Sequence, residues 1–471
     1  MKKALIIILV VAIMAASLIF TVSAANYEHI ADDLHALGLF RGTDNGYELD
    51  RAPNRGEGLV MLIRLLGLET DALACESESP FTDVPGWLAP YVAYAYENGL
   101  TNGTTATTYS PGSLCNAQMY VTFILRALGY SDSEDGDFTY AGALDFGKAV
   151  GIIDEGLANG DFLRDQMVAV SYLALLAPPN GGDFDSLLEK LVADGAVAQD
   201  IANALLGKWA LLDELASIGP GIAEDRIAMN IKLDTDMGAL GAMMAAMGMD
   251  ATISMDMDIS MIMEDEDVLA AITMAINTMG DEQTVVMYIA DGYTYMDDGN
   301  SKTKVANAAA GEGEDSSAIS DPTGIVGVTS IIDVSQISSA TLMISEISKS
   351  AEGDNTVYTV KIADGFIDSL MGQAIGLADE MGLDDTVLDG SDISMSISSM
   401  KLYLDSAGAL KKIAIVIDMK MPIDMGGVTM PANIKINLAI AVIATGDDVT
   451  VVLPADLDEY VLTSADSTPL G

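Results

Sequence analysis

The chain has 471 residues, 70 acidic against 22 basic, for a formal net charge of -48, and 50% of it is hydrophobic. Such a charge repels nucleic acid and anionic membranes, which excludes nucleic-acid partners, and the apolar fraction is far above that of a disordered acidic chain. The acids therefore belong on a folded surface, and the length calls for two or three domains.

Lys2 and Lys3 precede an apolar run from Ala4 to Phe20, and Val22-Ser23-Ala24 fits an A-x-A-type cleavage site. Residues 1–24 thus read as a secretory signal peptide, with an uncleaved anchor as the alternative because the run exceeds the usual ~7 to 15 residues. No Cys follows the cleavage site to carry a lipid, and no later segment approaches the ~18 uncharged apolar residues of a membrane span. In an exported chain Cys75 and Cys115 either pair or stay as two thiols, and their spacing demands neither. The absence of C-x-x-C leaves a zinc or thioredoxin-like site without support.

Three stretches of one design follow, at a period of roughly 50 residues. In the first, 26–70, a helix ends in Leu37-Gly38-Leu39-Phe40, and Asn54-Arg55-Gly56-Glu57 opens a second helix after a short turn. The second, 81–130, begins Phe81-Thr82-Asp83-Val84 with Trp87. Val92, Ala95 and Tyr96 then recur at helical spacing up to Gly99, and Asp83 is placed to cap that helix. A turn through Gly103, Tyr109 and Pro111 leads to Cys115-Asn116-Ala117-Gln118 and an amphipathic helix. The third, 137–178, has Gly151-Ile152-Ile153 at its helix end and Leu163-Arg164-Asp165-Gln166 as its opening motif.

This order of F-x-D-V, Trp, a G-x-x-x-G turn, an aromatic-x-P and a T-R-A-E-like opening resembles the S-layer homology (SLH) repeat. The resemblance covers about a third of the chain. It implies an all-α anchoring module at the cell surface, held noncovalently by a secondary cell-wall polysaccharide. It also implies that the motif Arg meets an acidic sugar, such as a pyruvylated one, at the mouth of a groove between repeats. By motif position that role falls to Arg55 and Arg164, while Asn116 stands as the departure in the second repeat. Asp83, Trp87 and Gly103 match the repeat's opening and turn. A guanidinium presents a planar fork to two carboxylate oxygens, which a Lys cannot do. The competing reading is that these Args neutralise neighbouring acids or cap helices.

Pro178 and Pro179 with Asn180-Gly181-Gly182 break the last helix. Residues 183–218 then read as a helical connector, with Leu187, Leu188, Leu191, Ile201, Leu205 and Leu212 spaced for one buried face. From Asp225 the period changes to 2: Ile253, Met255, Met257, Ile259, Met261 and Met263 alternate with polar residues, as do the runs from Ile413 to Met421 and from Ile434 to Val442. Asp291-Gly292 and Asp298-Gly299 read as hairpin turns. Residues 306–322 read as a mobile loop, 324–337 and 366–381 as interruptions, the second helical, and 461–471 as a tail.

The predicted class is thus multidomain, all-α followed by α+β, the second part (225–460) being an antiparallel β domain with one or two helices. The order of strands, the hairpin run Tyr288–Lys304, a helix, then Tyr403-Leu404-Asp405, resembles the bacterial lipoprotein-carrier half-barrel families. That resemblance implies a curved sheet with an apolar groove. Of 28 methionines only five precede residue 225. Met255, Met257, Met261, Met263, Met419 and Met421 either line a groove for an apolar small molecule or lipid, or fill a core poor in Phe and Trp.

A copper site of Met with His has no support, because the only histidines, His29 and His35, lie elsewhere. The acidic clusters 132–137 and 264–267 lack EF-hand spacing and read as solvated loops. Histidine-based catalysis in the β domain is excluded, and no Gly-x-Ser-x-Gly, Walker or dinucleotide loop is present. The expectation is an exported, wall-attached protein whose β domain works without cofactor or covalent chemistry. A purely structural or adhesive role, and a wall-attached hydrolase with a carboxylate pair, stand as alternatives.

Overall fold

The computed structural model describes residues 27–133, 135–217, 225–264, 267–307, 341–364, 394–424 and 429–463. The described residues divide into a helical unit, 27–212 with 341–345, and a β unit made of the rest. Most of the 306–322 loop, the two expected interruptions, the signal segment and the end of the tail lie outside the described residues.

The helical unit runs α1 (Glu28–Ala36), α2 (Arg55–Leu65), α3 (Glu69–Leu73), α4 (Ala89–Glu97), α5 (Ala117–Ala127), α6 (Ala143–Val150), α7 (Glu155–Ala158), α8 (Arg164–Leu176), α9 (Leu187–Ala193) and α10 (Gln199–Ser217). Gly38, Gly99 and Gly151 end the first helix of each repeat at φ 78°, 72° and 84°, the left-handed conformation that closes a helix at little cost only for Gly. The second helices α2, α5 and α8 are the most buried, and Leu59, Leu62, Tyr120, Phe123, Tyr172 and Ala174 meet in one core. The predicted connector belongs to this core, since Leu187, Leu188, Leu191, Leu205 and Trp209 join it. Trp209 donates to the Tyr172 hydroxyl at 2.9 Å, and Lys208 pairs with Asp33 at 3.4 Å. One expected core position fails: Ile201 is exposed and Ala202 is buried in its place.

The β unit comprises β1 (Arg226–Asp236), α11 (Gly238–Ala246), β2 (Ile253–Glu264), β3 (Asp267–Thr278), β4 (Asp281–Ala290), β5 (Tyr293–Asp297), β6 (Lys302–Ala306), β7 (Ile344–Glu352), β8 (Asn355–Ile362), β9 (Ser394–Leu404), β10 (Leu410–Asp424), β11 (Thr429–Thr445) and β12 (Val461–Leu462). They form one open sheet in the order β12-β6-β5-β4-β3-β2-β1-β11-β10-β9-β8-β7. Two meanders therefore spread in opposite directions from a seam where β1 pairs antiparallel with β11, and the short β12 lies parallel to β6 at one edge. The alternation keeps register across the seam: Met274, Met257, Ile231, Ile440, Ile413, Leu402 and Tyr358 face one another from strand to strand. Asp291 and Gly292 both have positive φ, as the two-residue hairpin between β4 and β5 requires. Helix α11 was not expected from the sequence, because Met237 to Met249 shows neither period.

Candidate functional site

The geometry of the SLH-like repeats is set by how each second helix begins. Asn54 caps α2, its side chain accepting from the Glu57 N–H while Glu57 accepts from the Asn54 N–H. Asn116 caps α5 through the Met119 N–H, and Leu163 occupies the cap of α8, its N–H donating to Gln166. Arg55, Ala117 and Arg164 are thus the equivalent first helical residues. This corrects the sequence alignment by one position: Asn116 is a helix cap, and the residue replacing the motif Arg is Ala117.

Each Arg-bearing helix start is stitched to the turn of another repeat. The Arg55 N–H donates to Ser113 O at 2.8 Å and the Gly56 N–H to Pro111 O at 3.0 Å, joining repeat one to repeat two. In the same register, the Arg164 N–H donates to Arg51 O at 3.0 Å and the Asp165 N–H to Leu49 O at 3.1 Å, joining repeat three to repeat one. Ser113 and Arg51 hold equivalent places relative to their own helix caps, so the two clefts repeat one design.

Arg55 is 7% exposed, and its guanidinium lies 4.8 Å from the Tyr109 ring centre and 5.1 Å from that of Phe123. Its nearest polar side-chain partner is the Thr101 hydroxyl at 3.5 Å, and its buried Nε has no hydrogen-bond partner. A buried guanidinium so poorly satisfied is costly unless an anion completes it. Arg164, also 7% exposed, donates from Nε to Tyr47 O at 2.9 Å and lies over the Phe40 ring at 5.6 Å. Burial, reinforced by nearby Arg51, draws its pKa down.

The other cations of the helical unit behave differently. Arg41 and Arg64 pair with Glu69, Arg51 with Glu57, Arg126 with Asp132, Lys148 with Glu155, Lys190 with Asp194 and Lys208 with Asp33. Among the described residues of this unit, Arg55 and Arg164 are the two cations without an ion pair. Arg164 still acts on Glu48 and Glu57 at longer range, helping to hold their carboxyls below the usual range, whereas their direct ion pairs go to Arg51.

The remaining predicted residues divide. Asp83 does not cap a helix: its carboxylate accepts from the Tyr109 and Ser110 N–H groups at 2.8 Å each, which holds its pKa below the usual range, and the residue at the α4 cap is Leu88. It therefore shapes the turn that carries Tyr109, whose ring lies over the Arg55 guanidinium. Gly103 is required by space and by φ of 76°, since a Cβ would come within 2.3 Å of the Phe81 ring. Trp87 is 61% exposed, next to Leu88, whose side chain abuts Gly56 beside Arg55. The structure adds Thr101, Tyr109, Phe123, Phe40 and Tyr47 to the site, of which only the aromatic-x-P tyrosine, Tyr109, carried a signal in the sequence.

The third potential cleft lacks both halves. Ala117 replaces the Arg, and Gly156 stands at the distance from its helix cap held by Tyr47 and Tyr109 in the other repeats. Cys75 and Cys115 are unpaired, and burial pushes the Cys115 thiol up to about 12. In the β unit Met255, Met261 and Met419 are buried, Met257 and Met263 are half-buried, and the Met421 side chain lies outside the described residues. Of the acidic loop 132–137, Asp132 binds Arg126 and Asp137 accepts from the Ser131 N–H.

Residues 80–115 match the S-layer homology domain family. The chain is 28% identical to the Middle cell wall protein of Brevibacillus brevis over 148 residues, 30% of this chain and 14% of that protein. It is 32% identical to a cell surface protein of Thermoanaerobacter kivui over 160 residues, 33% of this chain and 20% of that one, and 32% identical to a surface layer protein of Brevibacillus choshinensis over 115 residues, 24% and 10%. The chain thus spans a fifth or less of the length of these relatives. Among solved structures, a DUF1329 family protein from Desulfovibrio piger aligns with 52% of this chain at 8% identity and a TM-score of 0.17, too low to bear on the fold.

Proposed function

We propose that this chain, a cell-surface protein carrying an S-layer homology domain, is anchored by its helical unit to an acidic cell-wall polysaccharide through the two clefts that hold Arg55 and Arg164. The observation that carries the reading is the selective absence of ion pairs at those two Args in a chain with more than three acids per base. Two aromatic faces and the Thr101 hydroxyl hold the Arg55 guanidinium, and one aromatic face and the Tyr47 carbonyl that of Arg164, which leaves the remaining N–H groups for a ligand carboxylate. A neutral glycan would leave that charge uncompensated, so the polymer that fits carries carboxylates. Exposed Trp87 offers an apolar face to a sugar ring beside the first cleft.

Sedimentation with purified cell walls tests this. Charge-assisted hydrogen bonds contribute about 1.5–3 kcal/mol each, so Arg55→Ala and Arg164→Ala should each weaken retention about 10- to 100-fold, and the double variant should abolish it. If the double variant, folded by circular dichroism, sediments as well as the unaltered chain, the assignment is wrong.

For the β unit we propose a non-enzymatic role at the cell surface. The methionine rows support a packed sheet face, while the half-buried Met257 and Met263 support the finer reading that an apolar molecule is accommodated there. Mass spectrometry of organic extracts of the recombinant chain tests the finer reading, which fails if no lipid co-purifies above the level of an unrelated control.

A further inference from the structure

The two clefts share one backbone design but not one rim. Relative to the helix caps Asn54 and Asn116, Tyr47 corresponds to Tyr109, Glu48 to Ser110, Arg51 to Ser113 and Glu57 to Met119. The backbone repeats the equivalence, since Glu48 and Ser110 are both held at positive φ, 49° and 60°. The repeat-one side of the Arg164 cleft is therefore charged at three places where the repeat-two side of the Arg55 cleft is neutral.

Those charges reach Arg164. Its Nε donates to Tyr47 O at 2.9 Å, one peptide bond from Glu48, and its backbone N–H donates to Arg51 O at 3.0 Å. Glu57 and Glu48 both act on its guanidinium. Two uncompensated carboxylates beside one buried guanidinium would repel an anionic ligand. Arg51 prevents this: its Nη1 and Nη2 donate to the two Glu57 oxygens at 3.0 and 2.7 Å, and Nη2 reaches Glu48 at 3.4 Å. Glu57 is kept in place by accepting from the Asn54 N–H at 2.8 Å.

We infer that Arg51 is a positioning residue for anion binding at the Arg164 cleft: it neutralises Glu48 and Glu57, leaving the field of Arg164 to a ligand, while Glu48 holds that cleft's affinity below that of the Arg55 cleft. This role rests on the proposed anchoring, in which the Arg164 cleft takes a wall carboxylate. Arg51→Ser and Glu48→Ser each install the residue that the other cleft carries, and Ser110 already adopts the positive φ required at 48. Both changes make the rims more alike, yet their effects on binding are opposite.

The test uses the full chain with Arg55→Ala, so that sedimentation with purified cell walls at low ionic strength reads the Arg164 cleft alone. Arg51→Ser should weaken retention about two- to fivefold and Glu48→Ser strengthen it about two- to fivefold, the range of one partly exposed charge pair. Adding Glu48→Ser and Glu57→Gln to Arg51→Ser should restore retention, because Gln keeps an acceptor for the Asn54 N–H; a purely structural Arg51 would not be rescued by removal of its partners. In the reciprocal chain with Arg164→Ala, where the Arg55 cleft acts alone, the same substitutions should change nothing, whereas a general effect of net charge would appear in both chains. Equal effects in the two chains, effects of one sign from Arg51→Ser and Glu48→Ser, or failure of the rescue overturns the assignment of Arg51. If Arg164→Ala added to Arg55→Ala leaves retention intact, the anchoring reading itself fails and the role of Arg51 falls with it. Should Arg51→Ser not fold by circular dichroism, the sign of the Glu48→Ser effect in the two chains decides alone.

Discussion

Arg55 and Tyr109 hold each other: the guanidinium lies 4.8 Å from the Tyr109 ring centre, and the Tyr109 hydroxyl donates to the Arg55 carbonyl at 3.2 Å. The ring is contributed by one repeat and the cation by another, so the first cleft exists only when both are folded together. The two halves of the contact are separable by substitution. Tyr109→Phe keeps the ring face and loses one buried hydrogen bond, which should cost about 1 kcal/mol in denaturant titration and leave wall retention intact. Tyr109→Leu removes the face that holds the desolvated cation, a contact of about 2 kcal/mol, and should reduce retention toward that of Arg55→Ala. Equal retention by both variants would show that the ring does not position the Arg.

The corrected register of the second repeat makes its own prediction. If Asn116 is a cap and not a ligand, Asn116→Ala should lower stability by about 1 kcal/mol and leave wall retention unchanged. A loss of retention without a loss of stability would restore Asn116 to the binding set.

These two cases indicate what was readable in the chain. The glycines at 38, 99 and 151 and the motif Args announced themselves, because a left-handed helix end and a fixed helix start are local requirements. The strand alternation was equally local, and Met255, Met261 and Met419 occupy the buried face it specified. The cap preference of Asn could have set the register at 116, since Cys115 has no strong acceptor to offer an N–H. By contrast, the partners of Asp83 lie 26 and 27 residues away at Tyr109 and Ser110, and no periodicity reports such a pairing. The seam between β1 and β11 is a contact of the same kind, joining strands some two hundred residues apart. Helix α11 escaped because Gly, Ala and Met in succession show no apolar face for a period to mark.

Gly103 tests the turn independently of the Args. Its φ of 76° acts together with crowding in Gly103→Ala, where the new Cβ would lie 2.3 Å from the Phe81 ring and 2.8 Å from Thr108 O. Strain of this kind typically costs about 1–3 kcal/mol, so thermal unfolding of the helical unit should shift down by several degrees. Both tryptophans, Trp87 and Trp209, lie in that unit and report its unfolding separately from the β unit. An unchanged melting temperature would mean that the turn relaxes freely, and the shape of the Tyr109 cleft could not then depend on it.

The pH dependence of the helical unit should contain two opposed contributions. Asp165, 7% exposed and with its carboxylate accepting from the Tyr27 N–H, is pushed by burial from 3.8 to about 7. Its folded state binds the proton more tightly than the unfolded state, so stability falls as pH rises from about 4 to about 7. His29 is pushed the other way, from 6.5 to about 4, by burial and by Lys208. Here the unfolded state binds the proton more tightly, and stability falls as pH drops from 6.5 toward 4. Because the windows overlap, the two slopes offset each other in the unaltered chain. Asp165→Asn retains an acceptor for Tyr27 and removes the ionisation, so its stability relative to the parent should be level below about pH 4 and rise to a few kcal/mol near pH 7. His29→Gln should gain relative to the parent only as pH falls below 6.5. Denaturant titrations followed by tryptophan fluorescence between pH 4 and 8 would measure both differences, and slopes of the same sign in the two variants would refute the assignment.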